Sequence, residues 1–236
     1  NGNFMQSHSN FSLVWANDST GIYNAFPKTM TLTDSKTFYI DPYISLTGKK
    51  GSSHQLRSRI FYADNDNDNN QSNKTNVYLA EYRFNREIIS LGRLNVTSGA
   101  YFQQSFSQAS LYAGSGSNKN TLENYAAFIQ LEKKLIKKLL VSAGFRTEYF
   151  EMNNKDAQLE PILRAGLNYQ LTEGTFIRCS YGQGYRYPTI AEKFIETGAG
   201  GISVFPNPEV RPESSWNAEA GIKQGFKIGN FFGFAD

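Results

Sequence analysis

Apolar and polar residues alternate in steps of two through most of this chain, and the polar member is often charged. Leu139, Val141, Ala143 and Phe145 interleave with Ser142, Gly144, Arg146 and Glu148, so an extended segment here has one apolar and one charged face. Leu56, Ile60 and Tyr62 alternate in the same way with Gln55, Arg57 and Arg59, and Leu163, Ala165, Leu167 and Tyr169 with Arg164, Gly166, Asn168 and Gln170. Trp216, Ala218, Ala220 and Ile222 oppose Asn217, Glu219 and Lys223. A dry β-sandwich core would have to bury Arg57, Arg59, Arg146, Arg164, Arg178, Glu132, Glu148 and Glu219, at several kcal/mol for each unpaired charge. A hydrated lumen accepts them, and the pattern therefore predicts an all-β fold, a transmembrane antiparallel β-barrel with a wet interior.

Turn signals divide the chain into strands at roughly 4–15, 37–47, 54–63, 75–85, 89–102, 121–133, 138–150, 160–171, 175–185 and 213–224, with another starting near 231. The connections alternate between long ones (16–36, 64–74, 103–120, 151–159, 186–212) and short ones (48–53, 86–88, 134–137, 172–174, 225–230). In outer-membrane barrels the long loops are extracellular and the short turns periplasmic. Both ends read as mid-barrel, since an open edge in lipid leaves backbone groups unsatisfied. Residues 1–236 are thus expected to be a single segment of a barrel domain truncated at both ends, about half of a 22-stranded barrel, with no plug domain.

Composition narrows the function classes. A hydrophobic content of 39% and mean hydropathy of -0.49 are compatible with spanning because only every second barrel residue faces lipid. No apolar run approaches the roughly 18 residues of a transmembrane helix. The 14 Tyr and 18 Phe suit interfacial girdles, though a sandwich core would use them equally well. A net charge of +3 is too small and too dispersed to suggest nucleic-acid binding, and the basic residues cluster mainly at expected turns such as Lys133-Lys134 and Lys137-Lys138. Cys179 lies on the apolar parity as a small lipid-facing or packing residue, and His8 and His54 are too far apart in sequence to pair on a metal. Nothing in the chain points to catalysis.

Residues 181–224 carry the most specific pattern. Tyr181-Gly182-Gln183-Gly184-Tyr185-Arg186-Tyr187-Pro188 leads to Thr189-Ile190-Ala191-Glu192-Lys193-Phe194. Asn207-Pro208-Glu209-Val210-Arg211-Pro212-Glu213 follows, and then Glu219-Ala220-Gly221-Ile222-Lys223. This stretch resembles the barrel of TonB-dependent outer-membrane receptors, in which Arg-x-Pro opens a short Glu-bearing helix ahead of an Asn-Pro stretch and a Glu-x-Gly-x-Lys strand. Pro188 suits the first turn of a two-turn helix over 189–196. Pro206, Pro208 and Pro212 stiffen the return path, and Arg211 with Glu213 is expected to close a rim ion pair. Arg186, Pro188, Glu192, Asn207, Pro208, Arg211, Pro212, Glu213, Glu219, Gly221 and Lys223 accordingly read as architectural.

The resemblance implies active uptake, across the outer membrane of a Gram-negative-type cell, of a nutrient too large for porins, such as a siderophore or other metal chelate, haem, cobalamin or an oligosaccharide. It implies as partners outer-membrane lipid, a TonB complex acting through a plug domain, and a small-molecule or oligosaccharide ligand, with a surface lipoprotein left open. A passive porin or small closed barrel, and a surface adhesin or carbohydrate-binding β protein, are the alternatives. Ligand contact is expected from long-loop and upper-lumen residues, with Phe102, Tyr112, Tyr149, Tyr185 and Tyr187 as aromatic candidates and Arg146 and Arg186 as charged ones. Asp64, Asp66 and Asp68 lie at i, i+2 and i+4, as in oxygen-cage calcium loops, but Asn69 and Thr75 stand where an EF-hand needs Gly and Glu. That loop is either solvated or an irregular calcium site with those three ligands; no other cofactor is expected.

Overall fold

The computed structural model describes residues 1–12, 14–17, 19, 24–26, 29–199 and 202–235. Its strands are β1 (Gly2–Ser12), β2 (Met30–Ile40), β3 (Tyr43–Thr47), β4 (Ser53–Asn67), β5 (Asn73–Ile88), β6 (Leu94–Ala109) and β7 (Lys119–Ile136). They continue as β8 (Leu139–Met152), β9 (Lys155–Gln170), β10 (Thr175–Arg186), β11 (Thr197–Ala199), β12 (Ile202–Val204), β13 (Glu213–Ile228) and β14 (Phe231–Ala235), with one short helix, α1 (Ile190–Phe194). All but β11 and β12 join a single antiparallel sheet in which sequence neighbours pair, β1-β2-β4-β5-β6-β7-β8-β9-β10-β13-β14, with β3 also on β4. β11 and β12 form a small separate hairpin.

The register carries the two faces across the sheet. Ile44, Leu56, Tyr82, Ala100, Ala127, Thr147 and Pro161 lie opposite one another in one apolar row. One residue along, Arg57, Glu81, Tyr101, Ala126, Glu148 and Glu160 form a row on the other face. Among the described residues no second sheet covers the apolar side: Phe4, Phe38, Ile60, Tyr82, Phe145, Leu163, Trp216 and Ile222 are all exposed. The chain presents 16009 Å² to its surroundings, whereas a compact water-soluble protein of this mass presents about 10,700 Å². A one-layer apolar face with no protein packed on it matches the lipid-facing exterior of a β-barrel.

Several elements differ from the sequence expectation for local reasons. The strand expected at 37–47 is interrupted at Asp41-Pro42, yet β2 and β3 keep one register against β4, because Pro42 lacks a donor while its carbonyl still accepts from Ser58 N at 3.0 Å. The strand expected from 89 begins at Leu94, since residues 89–93 form a tight turn with Gly92 and Arg93 at positive φ. The long loop expected at 151–159 is a two-residue hairpin, with Asn153 (φ 55°) and Asn154 (φ 57°) both left-handed, as a type I′ turn requires. β4 runs to Asn67, β6 to Ala109 and β2 starts at Met30, so the expected loops 64–74, 103–120 and 16–36 are shorter than polarity suggests.

Gly99 shows how tightly the charged face is assembled. A Cβ there would meet Tyr82 O at 2.3 Å and the Phe128 ring at 2.5 Å, and that ring lies under the Arg146 guanidinium, 5.8 Å from its centroid. Gly99→Ala is expected to destabilise the barrel by about 1–3 kcal/mol. Heat-modifiable electrophoresis should show the folded band converting at a lower temperature, and an unchanged conversion temperature would refute the packing argument.

Candidate functional site

The end of the sheet bearing the 68–72, 110–118 and 187–212 connections holds most of the buried apolar contacts. Met152, Tyr187, Ile190 and Phe194 form a buried cluster, with Tyr112, Leu122, Phe150 and Tyr185 packed on it. Leu122, Phe150 and Met152 belong to the parity of Arg146 and Glu148, so loop 187–212 folds over the charged face. Phe150 and Tyr187 stack at 5.0 Å with their planes 3° apart. The other loops fasten onto it. Glu196 N donates to Leu111 O at 2.7 Å, Gln71 Nε2 to Thr197 Oγ1 at 3.0 Å, and Gly114 lies so close to Pro206 that a Cβ would approach its ring to 2.5 Å.

Arg186, at the end of β10, organises the rim. Its Nη1 donates to both Glu192 carboxylate oxygens (2.7 and 3.0 Å), while Nη2 and Nε donate to Glu213 at 2.7 and 3.2 Å. Glu192 also closes a capping box, accepting from Thr189 N at 2.8 Å while its own N–H donates to Thr189 Oγ1 at 3.2 Å. These bonds, led by the Thr189 backbone N–H and followed by Arg186, pull the Glu192 carboxyl down to about 2. Two rim expectations are corrected. Glu213 pairs with Arg186, across the strand register, and not with Arg211. α1 is a single turn over residues 190–194 capped by Thr189, so Pro188 precedes the cap, fully buried, and is not in the first turn.

Beneath the loop, a cleft of ≈ 490 Å³ on the charged face is lined by Glu81, Arg83, Phe128, Arg146, Glu148, Arg164 and Tyr185, among others. Arg146 Nε donates to Glu148 Oε1 at 2.5 Å, Asn124 Nδ2 donates to Glu148 Oε2 at 3.1 Å, and the Arg146 guanidinium lies 5.6 Å from the Tyr101 ring centre. Arg83 pairs with Glu81 at 3.0 Å. The cleft thus offers paired charges and aromatic faces to a polar guest. By alternation Tyr185 belongs with Tyr181 on the apolar side. It reaches the cleft because β10 leaves β9 above Gly182, where the Gln183 side chain accepts from Leu163 N at 2.8 Å in place of a backbone carbonyl.

Of the expected ligand-contacting residues, Arg146 and Tyr185 share this cleft. Arg186 holds the rim, Tyr187 is buried in the loop core, and Tyr112 bonds Ser107 Oγ at 2.8 Å beside that core. The expected upper-lumen placement is corrected for Phe102 and Tyr149. They stand on the apolar face, each packed against the ring of Tyr125 (5.1 and 6.1 Å), as girdle residues do. Glu81 and Arg83 were missed; their i, i+2 spacing puts them on the lumenal parity, but only the register brings Arg83 beside Gly99 and Arg146's row. Asp64, Asp66 and Asp68 run in line at the end of β4 with separate partners, Lys74, Ser72 Oγ and Leu32 N. Among the described residues no three His, Cys, Asp or Glu side chains converge as a metal set.

A one-sheet wall with an apolar exterior, a charged interior and folded loops at one end has the build of a transmembrane β-barrel wall. Comparison with known proteins specifies it further: the chain belongs to the TonB-dependent receptor-like β-barrel family, whose model matches residues 2–235. These receptors are transporters, not enzymes. Among solved structures it is similar to the siderophore receptor PirA from Pseudomonas aeruginosa (15% identity, TM-score 0.69, 86% of this chain and 38% of that one). It is also similar to the alcaligin outer-membrane receptor FauA from Bordetella pertussis (14%, 0.61, 99% and 38%) and to the hemophore receptor HasR from Serratia marcescens (13%, 0.58, 95% and 47%). The chain therefore spans less than half the length of each of these relatives. No curated protein sequence matches it.

Replacing Arg186 by Ala removes both clamps at once, and Lys cannot reproduce its fork. Both variants are expected to make loop 187–212 sensitive to added protease while the strands stay protected. For Glu192, the folded pKa lies below the ordinary 4.5, so its contribution to loop docking is complete above that value and is lost as pH falls through about 2. Pepsin digestion should leave the loop intact at pH 4 and cut it near pH 2; cleavage already at pH 4 would contradict the assignment.

Proposed function

We propose that this chain forms part of the wall of an outer-membrane receptor that binds a scarce nutrient and imports it with energy from a TonB complex, acting through a plug domain. The observation that carries the reading is the mixed-charge, aromatic cleft around Arg146 and Tyr185 beneath a folded loop cap. A passive pore has no need of a capped binding cleft. The exposed apolar face supports placement in the outer membrane, and the similar solved structures, siderophore receptors and a hemophore receptor, support an iron chelate or haem as the cargo class.

The test is uptake of a panel of ⁵⁵Fe-loaded siderophores and haem by iron-starved cells with and without the gene for the parent protein. Saturable uptake of at least one cargo, abolished by the deletion or by loss of TonB, is the expected result. Arg146→Ala should weaken the affinity for that cargo about tenfold while the folded band persists. Non-saturating permeation independent of TonB would overturn the reading in favour of a passive barrel.

A further inference from the structure

The charge network at the rim leaves one motif residue over. Arg211, expected from the sequence to pair with Glu213, loses that partner to Arg186 and makes no other ion pair or hydrogen bond through its side chain among the described residues. It lines instead a cavity of ≈ 260 Å³ between the 206–212 return path and β9, together with Lys193 of α1, Gln158 of β9 and Tyr187. This cavity has no lining residue in common with the cleft around Arg146.

Two cations and an amide belong to its lining. Lys193 is only 4% exposed, and its Nζ lies 5.9 Å from the centre of the Tyr187 ring, whose π-electrons help an ammonium stay charged away from water. The guanidinium of Arg211 presents a planar fork that matches two oxygens of one anion. Gln158 accepts the Tyr185 hydroxyl through Oε1 at 2.8 Å, which leaves its Nε2 protons as donors. Glu209, the one carboxylate in the lining, is exposed and in no ion pair among the described residues, so positive charge exceeds negative in the cavity wall. Pro208 and Pro212 fix φ on either side of Arg211, and Val210 N donates to Asn207 O at 3.2 Å, which sets that wall before anything binds.

We propose that this cavity binds one small oxyanion, a phosphate or a carboxylate, between Lys193 and Arg211, with Gln158 donating a further hydrogen bond. The ion cross-links α1, the proline-rich return path and β9, and fastens the stretch of the loop that the Arg186 clamp does not touch. It is either a free inorganic ion or the head of a larger solute, since both offer the same oxygens. The site is built from the loop and β9 alone and does not depend on which cargo the cleft accepts.

The test is calorimetric titration of the whole parent protein, in detergent and phosphate-free buffer at constant ionic strength, with inorganic phosphate and with glucose 6-phosphate. Saturable binding of phosphate or its ester is expected, about tenfold weaker in Lys193→Met and in Arg211→Gln. Glu209→Gln should bind about threefold more tightly, because it removes the opposing carboxylate. Phosphate should also slow cleavage within 206–212 by proteinase K in the natural chain and not in Arg211→Gln. Tighter binding of inorganic phosphate supports a free ion as the occupant, and tighter binding of the ester supports the head of a larger solute. Absence of saturable binding of either, or equal affinity in the natural chain and Arg211→Gln, overturns the site. Arg211 is exposed, so its variant is expected to keep the folded band in heat-modifiable electrophoresis and to be readable even if Lys193→Met disturbs the loop core.

Discussion

Backbone hydrogen bonding within one antiparallel sheet is the constraint on which the rest depends. A strand in hydrocarbon has no water to satisfy its N–H and C=O groups, so each must bond to the next strand. Antiparallel pairing of successive strands from β1 to β14, with β11 and β12 apart in their own hairpin, does this. Because the pairing is in register, every side chain of one parity falls on the same side, and the apolar rows become a continuous exterior. The same register accumulates arginine and glutamate on the other face, where they pair with one another and with aromatic rings and do not meet lipid.

The rim solves a different problem. Strands that leave the membrane lose their solvent constraint, and a 26-residue connection between β10 and β13 would wander if nothing held it. Arg186 ties the last residue of β10 to the first residue of β13 through Glu213 and to α1 through Glu192, so a single guanidinium joins three elements. The apolar cluster around Met152 and Phe194 then fixes the loop on the inner face, above the cleft. The charge network sets direction and the cluster supplies most of the burial.

Much of this was legible beforehand, and the exceptions share a cause. Alternation assigned Arg57, Arg164 and Glu219 to the inner face, and all five short turns lie within a few residues of their expected places, because both signals are local. The hairpin at Asn153-Asn154 was hidden because a polar run looks like a long loop until two left-handed residues are recognised in it. Tyr185 lines the inner cleft although parity argues otherwise, at the point where β10 departs from β9. Phe102 and Tyr149 show the converse: an aromatic residue near a strand end is equally at home in a girdle or a binding site.

What the sequence determined by itself is the period, the two faces and the family motif, since a strand's alternation and a capping box depend on neighbours one to three residues away. Which charges meet was decided only by tertiary structure. Glu213 paired with Arg186 and not with the expected Arg211, and Arg146 came to lie over rings from β6 and β7. These contacts join residues far apart in the chain, and their partners follow from strand register, a property of the assembled sheet that no single segment contains.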